Sequence, residues 1–338
     1  MRREEIDRIV LEILMNAKDG FVSGKKLASL INVSRPTIHR IINDLRSKGY
    51  LIESNPHKGY RLILEDDLRL ANYYIANFLK VERVKYTIVY LEKCSSTQDI
   101  AELLARHNAN EGVVVVAEEM THGKGRIGRK WEASRGGLWF TVLLRPKHIV
   151  NLLILSLGAS IAVCHTINEL YGITSWVGWP NEILVGNKKV AGVLIEGKME
   201  ADIMHYVLVG IGINVNNSIS ESLADKAVSL RELIGKNLPR MPLFATVLSR
   251  LDTIYKLIEE NKNDIIIKRW RNLSITIGNR IIAYTGTRKI IGKVVDIDEN
   301  GALVVESNGK KIRVHNGHIY YLDQNTRFPC TKNNTFLL

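Results

Sequence analysis

The feature that most constrains the fold is a change of hydrophobic periodicity along the chain. Apolar residues recur mainly at helical spacing near the N-terminus, helix-like and strand-like segments mix in the middle, and short strands separated by Gly and Asn turns fill the end. This succession predicts a multidomain α/β (α+β) protein. We expect domains at residues 1–64, 65–273 and 274–323, and a tail at 324–338.

The first predicted domain has the order of a winged helix-turn-helix. Helical spacing in EEIDRIVLEILMNA, SGKKLASLI and RPTIHRIINDLRSKG is followed by strands YLIES and YRLIL around the turn NPHKG. Ser34 is the expected N-cap of the third helix. Basic residues exceed acidic ones on that helix and on the wing, which favours DNA binding. The candidate contacts are Ser34, Arg35, Thr37, His39, Arg40, Asn43, Lys58 and Arg61. A helix-turn-helix used only for packing or protein contact is the alternative.

The second and third predicted domains differ in texture. Strand-like YTIVYLE, GVVVVAEE and LWFTVLLRP precede a long apolar helix, NLLILSLGASIAVCHTINELYG. Its most apolar stretch contains Ser156 and Ser160 and is shorter than the ~20 residues that span a bilayer, so we expect a buried helix. From about Ser274 the short strands predict a small SH3-like β-barrel.

Composition narrows the class of partner and the compartment. The formal net charge is +12 over 338 residues, which favours anionic partners such as nucleic acid or nucleotides. Cys94, Cys164 and Cys330 are far apart, so a disulfide framework or a Cys-rich zinc site is not expected. The N-terminus is charged where a signal peptide would be apolar. We expect a cytoplasmic protein without a membrane anchor.

The segment Gly123–Trp131, GKGRIGRKW, carries the strongest chemical signal. Its three glycines allow close approach of a ligand to the backbone, and its four cations favour an anion such as phosphate. It lacks the ending of a Walker loop and the dinucleotide fingerprint. From the residues alone, a phosphate-binding loop and an ordinary basic surface loop both remain open.

Three motifs in order resemble those of biotin protein ligases. GKGRIGRKW with GGLWF resembles the adenylate-binding loop, WPNE with KVAGVLIE resembles a second signature, and CSSTQ resembles the biotin-pocket segment. Together with the flanking domains, the resemblance covers residues 1 to about 323 and is to the bifunctional biotin operon repressor. It implies that biotin is adenylated with ATP and Mg²⁺ and transferred to a lysine of a biotin carboxyl carrier protein. It further implies operator binding as a homodimer.

The resemblance also implies the site residues. It implies biotin binding by Ser96, Thr97, Gln98, Gly123, Lys124, Gly125, Arg126, Lys189 and Gly192. It implies adenylate binding by Arg126, Arg129, Trp131, Asn181, Glu182, Gly210, Gly212 and Asn214. Catalysis is assigned to Lys189 and Arg126, and no dedicated metal site is expected, although Glu182 is a candidate contact for Mg²⁺. The Ser96 hydroxyl has a simpler interpretation as a helix cap, in a capping box with Asp99.

The lysine pair at 188 and 189 shows the limit of periodicity. Strict alternation places Lys189 with Ala191 and Val193 on one face, and Lys188 with Gly192 on the other. Both faces are apolar, so alternation does not choose between the lysines. The resemblance chooses Lys189.

Several positions depart from the family pattern. Met120 stands for Gln, Lys124 for Arg, Gly178 for Lys, Glu182 for Asp and Gln98 for Asn. The departures at Met120 and Gly178 keep open a biotin-sensing regulator with a degenerate catalytic domain. A lipoate- or octanoate-transferring relative is a second alternative, because the resemblance implies a catalytic fold that such enzymes share, but the GKGRIGRKW loop argues against it.

Overall fold

The structure is a computed structural model that describes residues 3–17, 20–47, 50, 52–62, 68–79 and 81–322. The chain divides into two compact units, residues 1–67 and 68–338. Cys330, the tail expected at 324–338 and the expected boundary at 64–65 lie outside the described residues.

The first unit contains three helices and a hairpin, in the predicted order. They are α1 (Arg3–Asn16), α2 (Gly24–Leu30), α3 (Arg35–Ser47), β1 (Ile52–Asn55) and β2 (Gly59–Leu62), with β1 and β2 antiparallel. Ser23 caps α2 by accepting a hydrogen bond from Lys26 N–H. The fully buried side chains of Val10, Leu27, Ile38, Ile42 and Leu45 form its core, as their helical spacing predicts.

The second unit is built on an eight-stranded sheet. Its strands are β3 (Thr87–Cys94), β4 (Val113–Lys124), β5 (Lys130–Ala133), β6 (Leu138–Leu144), β7 (Trp176–Gly178), β8 (Glu182–Val185), β9 (Lys188–Glu200) and β10 (Ile203–Ile213). The order is β3-β4-β6-β10-β9-β8-β7, with β5 on β4. Only β3 and β4 are parallel, and the other pairs are antiparallel.

Helices cover this sheet. They are α4 (Ala71–Phe78), α5 (Thr97–Arg106), α6 (Leu152–Tyr171), α7 (Leu230–Ile234), α8 (Arg240–Glu259) and α9 (Asn263–Leu273). The main core contains residues of α6, α8 and α9 packed with the sheet, whereas Ala101 and Ala105 of α5 belong to a separate, smaller core. Within the described residues, α6 alone has the length and apolarity to cross a membrane, and 72% of its most apolar window is buried in the protein. The expectation of a buried helix is confirmed.

The C-terminal strands form one antiparallel sheet in the same unit. They are β11 (Arg280–Thr285), β12 (Arg288–Ile297), β13 (Leu303–Ser307), β14 (Lys310–Val314) and β15 (His318–Tyr321), in the order β14-β13-β12-β11-β15. The edge strands β14 and β15 are not paired with each other, so the expected SH3-like barrel is not confirmed. Trp179 joins the two sheets, because its indole N–H donates to Gly301 O over 2.9 Å and its backbone N–H donates to Thr276.

Candidate functional site

A cavity of about 330 Å³ in the second unit brings the predicted ligand-binding residues together. This is a volume typical of a small-molecule site. Its lining includes Ser96, Thr97, Gln98, Lys124, Gly125, Arg126, Arg129, Trp131, Asn181, Glu182, Lys189, Gly192, Gly210, Gly212 and Asn214. Gly123 is the predicted ligand-binding residue outside this lining. A Cβ atom there would lie 2.4 Å from Trp131 O, so Gly123 permits the pairing of β4 with β5.

One end of the cavity is a buried polar cluster. The Thr97 and Thr141 hydroxyls lie 2.9 Å apart, and Thr141 donates to Gln98 Oε1 over 3.1 Å. Gln98 is 3% exposed, and its Nε2 has no partner in the described structure. Because an unpaired buried donor is costly, this amide is suited to a ligand that offers a carbonyl oxygen.

Met120 occupies the position where the family pattern has Gln. Its sulfur accepts the backbone N–H of Thr97 over 3.2 Å and lies 3.6 Å from the Thr97 hydroxyl. A thioether is a weak acceptor without a donor. Met120 therefore satisfies the first turn of α5 and offers a ligand no N–H group.

Ser96 begins α5, as predicted, but the expected capping box does not form. Its hydroxyl accepts from Gln98 N–H over 3.3 Å. The Asp99 carboxylate pairs instead with the Lys124 ammonium, which raises the pKa of Lys124. This ion pair joins the first turn of α5 to the end of β4 beside the cavity.

The GKGRIGRKW segment forms a tight connection between β4 and β5. Gly123 pairs with Trp131 and Lys124 with Lys130, while Gly125 N–H donates to Arg129 O over 2.7 Å. A short 3-10 turn at Arg126–Gly128 forms the tip. The segment thus carries its cations on a short loop at the cavity.

Arg126 and Arg129 meet the C-terminal sheet at this loop. Burial lowers the pKa of Arg126, while the Glu182 carboxylate acts in the opposite direction. Arg129 donates to the Tyr320 hydroxyl over 3.2 Å. His318 also lines the cavity, and burial followed by the charges of Arg129 and Arg126 lowers its pKa. The loop supplies the cations of a wall suited to phosphate, and β15 lies beside them.

Lys189 lies within the cavity, and its neighbours differ from those expected. Its ammonium donates to Glu182 Oε1 over 3.0 Å and lies 5.2 Å from the centroid of the Trp131 ring. The expected alternation is wrong, because Val190 and Ala191 are both fully buried and β9 pairs irregularly with β8. A β-bulge at this point places Lys189 with Gly192 rather than with Ala191.

The glycines of β10 make room for side chains. A Cβ atom at Gly210 would lie 2.6 Å from Gln98 Oε1, and one at Gly212 would lie 2.8 Å from the Trp131 ring. The space that these two glycines leave open thus holds two side chains that themselves line the cavity.

The two candidate asparagines are already engaged within the protein. Asn214 accepts from Asn217 Nδ2 over 3.1 Å, and the Asn181 amide donates to Val193 O. Asn181 therefore ties the turn between β7 and β8 to β9, while Asn214 is joined to Asn217.

Sequence reasoning missed two walls of the cavity. One contains Gly317, His318 and Ile319, and the other contains Asn217, Ser218, Ile219, Leu223, Lys226 and Ala227. Neither segment carries a recognisable motif, and both reach the site through long-range packing, so no signal in the sequence pointed to them. In the part of the chain that the structure describes, no group of three His, Cys, Asp or Glu residues is placed to hold a metal ion.

The candidate DNA-binding residues of the first unit divide into two groups. Ser34, Arg35, His39, Arg40, Asn43 and Lys58 are exposed. Thr37 is half-buried and lies 2.8 Å from the Ser34 hydroxyl, and Arg61 pairs with Glu53 and covers the Phe21 ring. The exposed group lies mainly on the start of α3, the position from which a recognition helix reads DNA.

Family models of known proteins match three successive segments of the chain. The biotin/lipoate A/B protein ligase family model matches residues 90–214, a helix-turn-helix model matches 8–61, and the biotin protein ligase C-terminal domain model matches 276–320.

Individual relatives agree with these matches. The bifunctional ligase/repressor BirA of Bacillus subtilis (strain 168) is 34% identical over 90% of this chain and 95% of that protein, and its Escherichia coli (strain K12) counterpart is 28% identical over 88% and 92%. The structure of the Aquifex aeolicus biotin protein ligase in complex with biotin and ATP is 32% identical, covers 69% of this chain and 97% of its own, and has a TM-score of 0.62. The chain therefore belongs to the biotin protein ligase family, which includes the bifunctional ligase/repressors.

Proposed function

We propose that the chain adenylates biotin with ATP and transfers the biotinyl group to a lysine of a biotin carboxyl carrier protein. The observation that carries the proposal is the cavity itself. The unpaired amide nitrogen of Gln98, which can donate to a carbonyl oxygen, lies at one end. The cations of Arg126, Arg129 and Lys189 line the same cavity. Biotin has both a ureido carbonyl and a carboxylate, so this arrangement suits its two ends.

The first step joins two anions. The biotin carboxylate attacks the α-phosphate of ATP, the bond to the β-phosphate breaks, and biotinyl-5′-adenylate and pyrophosphate form. Lys189 and Arg126 offset the charge that develops at the α-phosphate. Arg129 and His318 lie on the cationic side, where the remaining phosphates would be held. Asn214 is assigned to the adenine.

The second step is attack by the amine of the acceptor lysine on the mixed anhydride, which releases AMP. That amine must first lose a proton, because the reference pKa of lysine is about 10.4. The GKGRIGRKW loop shields the adenylate from water meanwhile. Mg²⁺ bound to the ATP phosphates would offset their charge, and the Glu182 carboxylate is the group that would hold it.

Ligand competition separates this function from the lipoate alternative. We expect calorimetric titration to show biotin binding to the intact chain, with lipoate failing to displace it, because the dithiolane ring offers Gln98 no carbonyl. We also expect ATP-dependent transfer of labelled biotin to a carrier domain. Displacement by lipoate would favour the lipoate-transferring relative. Biotin binding without adenylate formation would favour a sensor with a degenerate catalytic domain.

We further propose that the first unit represses biotin genes by binding an operator as a homodimer in the cytoplasm. The exposed cations and polar groups at the start of α3 support this proposal. One small domain makes few phosphate contacts, so two copies on a two-part operator are expected.

Salt titration tests DNA binding. With adenylate-bound protein and its own promoter DNA, we expect affinity to fall about 10³-fold or more between 50 and 200 mM salt. Arg40→Ala should weaken binding, whereas Lys85→Ala, an exposed position of the second unit, should leave it unchanged. If the adenylate-bound protein failed to bind this DNA at low salt, the proposed repressor function would be refuted and the proposed ligase function would be unaffected.

A further inference from the structure

The direction of the Lys189 side chain originates in an irregularity of its own strand. On β8, Ile183 pairs with Ala191 and the next residue, Leu184, pairs with Lys189. Val190 is thus an extra residue on β9, which defines a β-bulge. A bulge interrupts strict alternation and redirects a side chain. Lys189 consequently shares the cavity face with Gly192, three positions further along β9.

The bulge is held by the segments on either side of it. Lys189 N–H donates to Lys226 O over 2.8 Å, and Lys189 O accepts from Val228 N–H over 3.1 Å. Val190 O accepts from Asn214 N–H over 2.9 Å. Backbone groups that a bulge would leave unpaired are therefore satisfied, which fixes the direction of the lysine at its root.

Beyond its root, the lysine lies across the space that Gly192 leaves open. A Cβ atom at Gly192 would lie 3.0 Å from Cε of Lys189, 3.2 Å from its Nζ and 3.2 Å from Cζ3 of Trp131. These distances to Lys189 and Trp131 are shorter than those of an ordinary van der Waals contact. Even alanine at this position would require the end of the lysine or the indole ring to move by a few tenths of an ångström.

Two groups then hold the ammonium at its far end. Glu182, which pairs with Gly192 across the sheet, accepts from Nζ over 3.0 Å, and the Trp131 ring centroid lies 5.2 Å from Nζ. An acidic partner and an aromatic face both attract a cation. We name Gly192, Trp131 and Glu182 the Lys189 cradle.

We propose that Gly192 is a positioning residue for Lys189, and that its lack of a side chain sets where the ammonium meets the reacting phosphate. The inference rests on the proposed function, which assigns Lys189 to adenylate formation. It gives Gly192 a different role from the biotin contact that the resemblance implies. Its effect should appear in the rate of the chemical step and not in the affinity for biotin.

The first test separates rate from affinity. In biotin-dependent exchange of pyrophosphate into ATP, we expect Gly192→Ala to lower kcat about tenfold, because the added Cβ displaces the end of the lysine by a few tenths of an ångström and a misplacement of about 1 Å costs about 10²-fold. The KM for biotin should stay within about threefold. Gly197→Ala is the matched control on the same strand, because a Cβ there would meet chiefly the flexible side chain of Leu152. A raised KM for biotin with an unchanged kcat would overturn the proposal.

A double-mutant cycle asks whether Gly192 acts through Lys189. In a Lys189→Ala background, followed in single turnover over hours, Gly192→Ala should change the residual rate less than about twofold. Multiplied effects of the two changes would mean independent action and would contradict the proposal. Trp131→Leu removes the ring face of the cradle, so it should also change the residual rate of Lys189→Ala less than about twofold. It replaces Gly192→Ala in the cycle if that variant does not unfold cooperatively. Wild-type protein without any exchange would refute the proposed function itself.

Discussion

Ile127 occupies backbone that a β-branched residue rarely adopts. Its φ is 55° and its ψ is 47°, in the left-handed region, and its side chain is 68% exposed at the tip of the GKGRIGRKW loop. Strain of this kind costs of order 1–3 kcal/mol and is concentrated at functional sites. Because the side chain buries little, packing does not explain why isoleucine stands there.

Replacing this residue should therefore stabilise the chain. We expect Ile127→Asn to raise the free energy of unfolding by about 1 kcal/mol, since asparagine tolerates the left-handed region. Urea denaturation measures the change. Ile149→Asn is the control, because it removes an isoleucine of similar exposure (54%) outside that backbone region and should alter stability by about 0.5 kcal/mol or less. Equal effects of the two variants would contradict the strain argument.

At the residue scale, residue types and spacing predicted which side chains lie at the site. They were less successful in predicting the partner of each side chain. Ser96 was expected to form a capping box with Asp99, yet the Asp99 carboxylate on α5 pairs with Lys124 at the end of β4. That preference depends on a loop brought close by the tertiary fold. The surroundings of Gly178 likewise depend on the tertiary fold. A Cβ atom there would lie 2.8 Å from Leu184 and 3.3 Å from the Tyr321 hydroxyl. A lysine at 178 would require both groups to move.

Among the elements, α6 carries a histidine that links stability to pH. Burial, then the charges of Arg250 and Arg269, lower the pKa of His165 from 6.5 to about 4. Below pH 6.5 the unfolded chain gains a proton that the folded chain resists, so this contribution to stability is lost as pH falls from 6.5 towards 4.

The matching experiment compares two pH values. Between pH 7 and pH 5, we expect His165→Asn to lose less stability than the wild type, by up to about 2 kcal/mol, the limit set by full protonation of the unfolded histidine. Urea unfolding at each pH gives the difference. An identical loss in both proteins would show that His165 does not resist protonation.

A buried ion pair connects β4 to the start of α8. Arg240 and Glu118 form two hydrogen bonds of 2.9 and 3.0 Å with both side chains under 10% exposed, and Arg240 also donates to Gly137 O. Removing one partner leaves the other charged and buried.

We expect Glu118→Ala to cost about 3–5 kcal/mol of unfolding free energy. Its neighbour supplies the control, because Glu119 forms a half-exposed pair with Lys93 and Glu119→Ala should cost about 1 kcal/mol or less. Denaturant unfolding of the two variants measures both values. Similar losses would mean that the Arg240 pair contributes no more than a surface pair.

Element types followed from periodicity where segments were long, as for α1, α3 and α6. Irregular positions did not follow, and the bulge in β9 is the important case. It reverses the expected face of Lys189, because two consecutive buried residues, Val190 and Ala191, satisfy the core at that point. Alternation assumes a regular ladder, so it cannot predict where a ladder is interrupted.

Over the whole molecule, the site depends on segments far apart in sequence. The cavity takes walls from Ser96–Gln98, from the GKGRIGRKW loop, from β8 to β10 and from β15. Motifs identified the first three groups, whereas His318 in β15 was missed because its strand carries no motif. The fold supplies the C-terminal sheet as a wall of the site, which gives this sheet a direct part in the proposed chemistry.

The central claim is that this cavity makes biotinyl-adenylate with Lys189. The most direct measurement is biotin-dependent exchange of labelled pyrophosphate into ATP, with Mg²⁺, because it needs no acceptor protein. We predict exchange in the wild type and in Lys188→Ala, whose exposed lysine lies outside the cavity lining, and loss of exchange in a folded Lys189→Ala variant. Near-normal exchange in Lys189→Ala would contradict the assignment, and biotin-independent or absent exchange in the wild type would contradict the ligase itself.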